Sequence, residues 1–172
     1  MKSMEIKTYG ADVLRTRAEA VVDFGPELES FVGRMKSIMI SEQGIGLAAP
    51  QVGVSKRVIV FYSDPENSPK IQAMMNPEII ASSDEYDKME EGCLSIPDIR
   101  GDVQRALEVD VKYQTLEGKE QRGRFYNLPA RIIQHEVDHI NKILFIDHLS
   151  FAKKAMIRGK LKKLSRENAS KG

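Results

Sequence analysis

The stretch PARIIQHEVDHIN, residues 129–141, predicts a helix that lies at the centre of the fold. Pro129 suits the first turn of a helix, where its missing N–H group is not needed. Apolar side chains then occupy more than one side of the helix, at Ile132, Ile133, Val137 and Ile140. A helix with this pattern is usually buried, so we expect the other elements to pack around it.

Two histidines one helical turn apart predict a metal site on this helix. His135 and His139 occupy positions i and i+4, so both rings project from one face and can reach one ion. Glu136 follows the first histidine directly and can take a proton from water at an open position of the metal.

A catalytic metal site needs a third protein ligand, for which the chain offers two candidates. Cys93 lies in EGCLSIP (91–97), where we expect a strand to end in a turn and Gly92 to let the backbone approach a metal. His148 lies near the start of the next predicted helix, where capping or packing is its commoner role. We therefore favour Cys93, although a lone cysteine is more often a small buried apolar residue.

A glycine-rich segment, GIGLAAPQVG at residues 44–53, is a third candidate part of the site. Its glycines would let a ligand lie against the main chain. Gln51 supplies a neutral amide donor that can polarise a carbonyl or stabilise an oxyanion. Taken alone, the segment suits a tight loop that enters a core strand equally well.

The other patterns along the chain predict an α+β fold. Apolar residues at helical spacing predict further helices at 26–43 and 151–166. Strand patterns occur at 57–62, in one or two stretches within 71–91, and in a hairpin of 107–114 with 119–126. We therefore expect mixed or antiparallel sheets packed around the metal-binding helix, with a C-terminal helix at the end of the chain.

The composition indicates a single catalytic domain, 1–172, because 41% of the 172 residues are hydrophobic and can form one core. The 26 Lys and Arg residues nearly balance the 25 Asp and Glu residues, unlike proteins that coat nucleic acid, and we expect no sequence-specific nucleic-acid binding. One cysteine excludes an intramolecular disulfide. No apolar run approaches the roughly 18 residues of a membrane span, so we expect a cytoplasmic protein without membrane contact.

The C-terminal segment 150–172 is strongly basic. It contains eight Lys or Arg residues and one acid, Glu167, a charge of +7, whereas the other 149 residues carry −6. The simplest interpretation is a solvent-exposed helix face, and the alternative is a surface for an anionic partner such as ribosomal RNA. We also expect Phe151, Met156 and Leu161 to pack on the core.

The three segments that contain the candidate metal-binding and catalytic residues together resemble the bacterial peptide deformylases. The resemblance extends over nearly the whole chain. That family is marked by GxGLAAxQ, EGCxS and HExDH in this order, and here the motifs are GIGLAAPQ (44–51), EGCLS (91–95) and HEVDH (135–139). The basic C-terminal helix is similar to that of the shorter, Gram-negative-type members. One departure is Arg131, where some members carry an aliphatic residue, and this affects the expected wall of the substrate pocket.

The resemblance implies a hydrolase that removes the formyl group from the N-terminal formyl-methionine of new polypeptides and releases formate. Cys93, His135 and His139 would bind one divalent metal ion, commonly Fe(II) in the family, with Zn, Ni or Co also able to occupy the site. One thiolate with two imidazoles suits zinc as well as Fe(II), so the ligand set does not select the metal.

The resemblance also implies the roles of the remaining site residues. Glu136 would act first as a base and then as an acid, while the Gln51 side chain and the Leu94 backbone N–H stabilise the oxyanion. The peptide backbone would pair with the protein as an added strand, next to a pocket for the methionine side chain. The residues implied in these substrate contacts are Ile45, Gly46, Arg100, Leu128 and Ile132.

The expected partners are formyl-methionyl nascent peptides, and the basic C-terminal helix offers a contact with the ribosome. Two alternatives belong to other functional classes. A general metallopeptidase would share HEVDH, but not the cysteine ligand or GIGLAAPQ. A non-catalytic metal- or ribosome-binding protein would be expected to lack Glu136 or Gln51, and both are present.

Overall fold

Two antiparallel sheets and three α-helices make up the fold, in a computed structural model that describes residues 4–171. The helices are α1 (Pro26–Ser41), α2 (Asn127–Ile140) and α3 (Phe151–Ala169). The strands are β1 (Gly46–Ala48), β2 (Val58–Tyr62), β3 (Ile71–Ser82), β4 (Tyr86–Cys93), β5 (Ile96–Ala106), β6 (Glu108–Gln114) and β7 (Glu120–Tyr126). The predicted α+β class is confirmed.

The larger sheet has the strand order β1-β2-β3-β6-β7, and the smaller one is the hairpin of β4 with β5. The β6–β7 hairpin was predicted from the sequence, whereas β1 and β5 were not. In β5, exposed and buried residues alternate from Asp98 to Arg105, and its exposed positions are polar or proline. Strand β1 has only three residues, all buried, within the glycine-rich segment.

Helix α2 is buried against the five-stranded sheet, as its sequence predicted. Its apolar residues share one core cluster with residues of β2, β3 and β6, among them Ile59, Phe61, Met74, Val109 and Val111. Helix α1 packs elsewhere on the same sheet through Val32, Met35 and Met39. Helix α2 therefore rests on the apolar core of the five-stranded sheet.

The β4–β5 hairpin belongs to a third apolar cluster, on the other side of α2. Ile96, Ile99 and Val103 of β5 pack there with Leu14, with Leu144–Ile146 and with Ile157 of α3. This cluster connects the hairpin to the C-terminal part of the chain.

Helix α3 meets the body along a narrower stripe than predicted. Phe151 and Met156 are 85% and 75% exposed, so their predicted packing is wrong. The predicted packing of Leu161 is confirmed, and the other contacts come from Ile157 and Leu164, which lie with it at positions i, i+4 and i+7 on one face. No helix in the described part of the chain is long and apolar enough to cross a membrane.

Candidate metal centre and catalytic pocket

The side chains of Cys93, His135 and His139 converge, and one ligand atom of each lies within 4.8 Å of the others. Cys93 Sγ is 3.3 Å from His139 Nε2, and the two imidazole ring centres are 5.1 Å apart. A soft thiolate with two imidazoles is a donor set that divalent zinc and iron accept. His148 lies outside this group and pairs with Asp138, whose Oδ2 is 2.8 Å from its Nε2.

One helix and one strand supply the three donors. Helix α2 presents both histidines one turn apart, while Cys93 is the last residue of β4, before a tight turn at 94–95. Strand pairing in the hairpin shifts between Glu91 and Cys93, which places an irregularity at Gly92. A Cβ atom at Gly92 would lie 2.7 Å from Nη1 of the flexible Arg100 side chain, which would have to move aside.

A buried carboxylate fixes the first histidine. Glu91 Oε1 is 2.9 Å from His135 Nδ1, which leaves the Nε2 atom of that ring to face the donor cluster. Arg105 donates to both oxygens of Glu91 at 3.0 Å, and Arg131 donates to Oε2 at 2.6 Å. Burial disfavours the ionised form of Glu91, but the hydrogen bonds from His135 and Arg105 outweigh it and hold the pKa of the carboxyl well below its usual range.

This supporting layer of charge was not predicted from the sequence. Glu91 belongs to the EGCLS motif, and its position two residues before a metal ligand was the available signal. Arg105 lies in a strand that was not predicted, and it also bonds Asp138 Oδ2 at 2.6 Å. Arg131 was interpreted as part of the pocket wall, and it does line the pocket, but its guanidinium group also forms an ion pair with Glu91.

The pKa values of His135 and His139 are shifted in opposite directions. Burial lowers the pKa of His139 well below its usual value, and repulsion from His135 adds to this effect. Burial also disfavours the charged form of His135, but its interactions with Cys93 and Glu91 dominate and raise its pKa.

Glu136 is buried beside the donor cluster, with an exposed fraction of 4%. Its Oε2 atom and His139 Nδ1 have no hydrogen-bond partner among the described residues. Burial raises the pKa of the Glu136 carboxyl to about 7, although nearby His135 opposes the shift. A carboxyl group with this pKa can both accept and donate a proton near neutral pH.

Strand β1 lies directly against this carboxyl group. A Cβ atom at Gly46 would be 2.6 Å from Glu136 Oε1 and 2.7 Å from Ile132 Cγ2. Only glycine leaves room for both side chains at this position.

Gln51 is held so that its amide nitrogen faces the donor cluster. The backbone N–H of Ala48 donates to Gln51 Oε1 at 2.9 Å, which fixes the orientation of the amide. Gln51 Nε2 then lies 3.4 Å from Cys93 Sγ and 3.3 Å from Ser95 Oγ. The side chain is 1% exposed, so this donor is preorganised in a site of low polarity.

A pocket of about 610 Å³ opens in front of these groups. Apart from His139, which lies behind the others, every site residue predicted from the sequence lines it. The catalytic and metal-binding candidates on its wall are Gln51, Cys93, Leu94, His135 and Glu136, and the substrate candidates are Ile45, Gly46, Arg100, Leu128 and Ile132. Arg100 stands at the exposed rim, where its Nε donates to Glu90 Oε1 at 2.9 Å.

Known proteins are similar to this chain in both sequence and fold. The family profile described as polypeptide deformylase matches residues 3–155. The peptide deformylase of Thermotoga maritima is 41% identical over 161 residues, which cover 94% of this chain and 96% of that protein. The peptide deformylase of Brucella suis is 43% identical over 160 residues, covering 92% and 91%.

Solved structures lead to the same family. Peptide deformylase from Plasmodium falciparum superposes with a TM-score of 0.90 at 38% identity, covering 96% of this chain and 98% of that one. A class I type b peptide deformylase from Acinetobacter baumannii superposes with a TM-score of 0.81 at 44% identity, covering 84% and 97%. The chain therefore belongs to the polypeptide deformylase family, metal-dependent hydrolases that remove N-terminal formyl groups from new polypeptides.

Proposed function

We propose that this chain deformylates formyl-methionyl peptides with Cys93, His135 and His139 as the ligands of one divalent metal ion. The observation that carries the proposal is the convergence of these donors within 4.8 Å at the inner end of a pocket that also contains Glu136 and Gln51. A divalent ion bound there supplies Lewis acidity towards water and towards the formyl oxygen.

Glu136 is the proton carrier in this proposal. Its buried carboxyl group, with a pKa of about 7, accepts a proton from the attacking water and returns it to the amide nitrogen that leaves. Breaking the C–N bond then yields formate and a free methionine amino group. The same residue therefore begins and ends the reaction as a carboxylate.

Two donors of the protein stabilise the negative charge that develops on the formyl oxygen. One is the Gln51 amide, whose orientation Ala48 fixes, and the other is the backbone N–H of Leu94 in the turn after Cys93. Removing a single donor of this type typically costs about 2.7–4 kcal/mol of transition-state stabilisation.

The apolar part of the pocket can hold the methionine side chain next to the reacting formyl group. Leu128 and Ile132 lie one turn apart at the start of α2 and form an apolar wall, which Ile45 completes. Among the described strands, β1 pairs only with β2, so its other edge can add the extended peptide backbone at Ile45–Gly46. Arg100 at the rim would meet the peptide further from its N-terminus.

A direct test compares formyl-Met-Ala-Ser with Met-Ala-Ser as substrates. Deformylation releases formate from the first peptide and leaves both peptide bonds intact in each. Cleavage of a peptide bond in Met-Ala-Ser would instead support a general metallopeptidase, which shares the HEVDH motif.

For the metal, we propose Fe(II) in the cell. The ligand set also accepts Zn, Ni or Co, and the thiolate ligand would make the iron form sensitive to oxygen. Metal analysis of protein purified without oxygen should find iron in near-stoichiometric amount. A zinc-containing protein of full activity under the same conditions would contradict this assignment.

We further propose that the whole chain, 1–172, is one catalytic domain that works in the cytoplasm, with α3 docking on the ribosome. The apolar stripe of α3 faces the body, and the cations Lys160, Lys162, Lys163 and Arg166 are exposed. Contact with ribosomal phosphate would raise the local concentration of nascent substrate.

Replacing these four cations with Gln keeps helix propensity and removes four charges. Co-sedimentation with ribosomes at low salt should fall, while turnover of a short formyl-Met peptide stays unchanged. Equal sedimentation of the two proteins would contradict the docking.

A further inference from the structure

The proposed metal site is divided between two separate apolar clusters. Cys93 packs against the cluster that contains Ile96 and Val103 of β5. The histidines belong to α2, whose Ile133 and Val137 pack into the core of the five-stranded sheet. The distance between the thiol and the imidazoles therefore depends on how these two clusters are joined.

The junction between them is made of buried polar contacts. Gln134 of α2 bonds both the N–H and the C=O of Ala106 at the end of β5. One turn before His135, Arg131 donates to Glu91 Oε2 at 2.6 Å, to the carbonyl of Val103 at 2.9 Å and to the carbonyl of Asp87 at 2.7 Å.

Arg131 thus connects the ligand turn of α2 to both strands of the hairpin. Asp87 and Glu91 belong to β4, and Val103 belongs to β5. The guanidinium fork makes these contacts at once, and the side chain is 7% exposed. A planar group with several donors fixes relative orientation in a way that a single point charge does not.

We propose that Arg131 is a positioning residue that sets the separation between Cys93 and the two histidines, and through it the affinity for metal. This inference rests on the proposed ligand set. Outer contacts of this kind typically change metal affinity by a factor of 10–100 when they are removed.

Charge alone would give Arg131 the opposite effect. A cation close to the site repels a divalent metal, so an electrostatic role predicts tighter binding when the guanidinium group is removed. When the protonation of the ligands is unchanged, weaker binding therefore comes from lost positioning or from a general loss of stability.

The experiment measures the rate at which zinc-loaded protein transfers its metal to excess chromogenic chelator. Arg131→Met keeps an unbranched stem on the pocket wall and removes the fork, and it should release zinc about tenfold faster than wild type. Arg131→Lys keeps the charge without the fork and should also release zinc faster, by a smaller factor. It provides the test if the Met variant does not fold.

Two controls separate positioning from other causes. Arg124→Met removes an ion pair with two hydrogen bonds to Asp110, at a position that does not line the pocket. It should leave the rate of zinc release within twofold of wild type. Val58→Ala creates a core defect away from the ligands, so it shows how much release follows from lower stability alone.

The possible results have distinct meanings. Wild-type or slower release from a folded Arg131→Met protein would overturn the positioning role, as would release no faster than in a Val58→Ala protein of equal melting temperature. Wild-type protein that retains no zinc would contradict the ligand set itself.

Discussion

The two sheets of this protein hold helix α2 in different ways. The five-stranded sheet holds α2 through apolar packing, with Ile133 and Ile140 fully buried. The hairpin holds it chiefly through ion pairs and hydrogen bonds, centred on Glu91, Arg105 and Arg131. Apolar burial is strong but non-directional, whereas charge-assisted hydrogen bonds fix angles. A metal site needs ligand atoms at defined angles around the ion, and the directional contacts lie next to the proposed ligands.

The largest expected effect lies on the hairpin side, at Cys93. We expect Cys93→Ala to lose its metal and its activity, because the remaining imidazoles are two of three ligands. His148→Ala should keep metal content and activity near wild type, since that histidine pairs with Asp138 outside the cluster. Metal analysis of both purified variants checks the difference, and the reverse pattern would make His148 the third ligand.

On the helix side, Glu136→Gln should retain metal and fold but lose a factor of about 10²–10⁴ in kcat/KM. The amide has nearly the same shape as the carboxyl group and cannot accept the proton. Glu120→Gln, on exposed β7, is the matched control and should match wild type. A Glu136→Gln enzyme with more than about a tenth of wild-type kcat/KM, a loss under roughly 1.4 kcal/mol, would exclude Glu136 as the base.

The sequence was sufficient to predict the half of the site that follows local rules. The i, i+4 spacing of His135 and His139 and the apolar faces of α2 depend only on helix geometry, and the structure has both. The resemblance of EGCLS and GIGLAAPQ to a family then led to Cys93 and Gln51, which geometry brings into the same pocket.

The supporting layer could not be predicted because it depends on pairing between distant segments. Arg105 reaches Glu91 only through the register of β4 with β5, in which Glu91 lies opposite Gly101. Strand β5 alternates buried positions with polar ones, and its glycine and proline weaken the strand pattern. The packing of Phe151 on the core was wrongly predicted because apolar character alone does not tell which helix face meets the body.

Gly46→Ala tests how tightly the five-stranded sheet confines the base. The new methyl group would overlap Glu136 Oε1 and Ile132 Cγ2, so the carboxyl group must move. We expect kcat to fall by about tenfold to a hundredfold with metal content unchanged. Gly33→Ala is the control, because nothing lies within 4 Å of its Cβ position inside α1. It should keep activity and gain about 0.5–1 kcal/mol of stability.

The smallest expected effect concerns an ion pair beside the third apolar cluster, the one to which the β4–β5 hairpin belongs. There Asp147 pairs with Arg15. Arg15 Nη1 and Nη2 donate to Asp147 at 2.7 and 3.0 Å, and the Leu144 N–H donates at 3.0 Å. Partial burial disfavours the ionised carboxyl, but these donors outweigh it and lower the pKa of Asp147 below its usual 3.8.

A carboxyl group whose pKa is lower in the folded state stabilises the fold above its unfolded-state pKa and loses this contribution as pH falls through the folded-state value. Both partners are more than a third exposed, so solvent weakens the pair. Asp147→Asn should therefore lower the free energy of unfolding by at most about 1 kcal/mol at neutral pH. In urea unfolding, the gap between variant and wild type should narrow as pH falls below about 4. Asp102→Asn, at an exposed position of β5, should show little effect at either pH. If the difference in the free energy of unfolding stays constant with pH, hydrogen-bond geometry, and not the charge of Asp147, provides the stabilisation at this position.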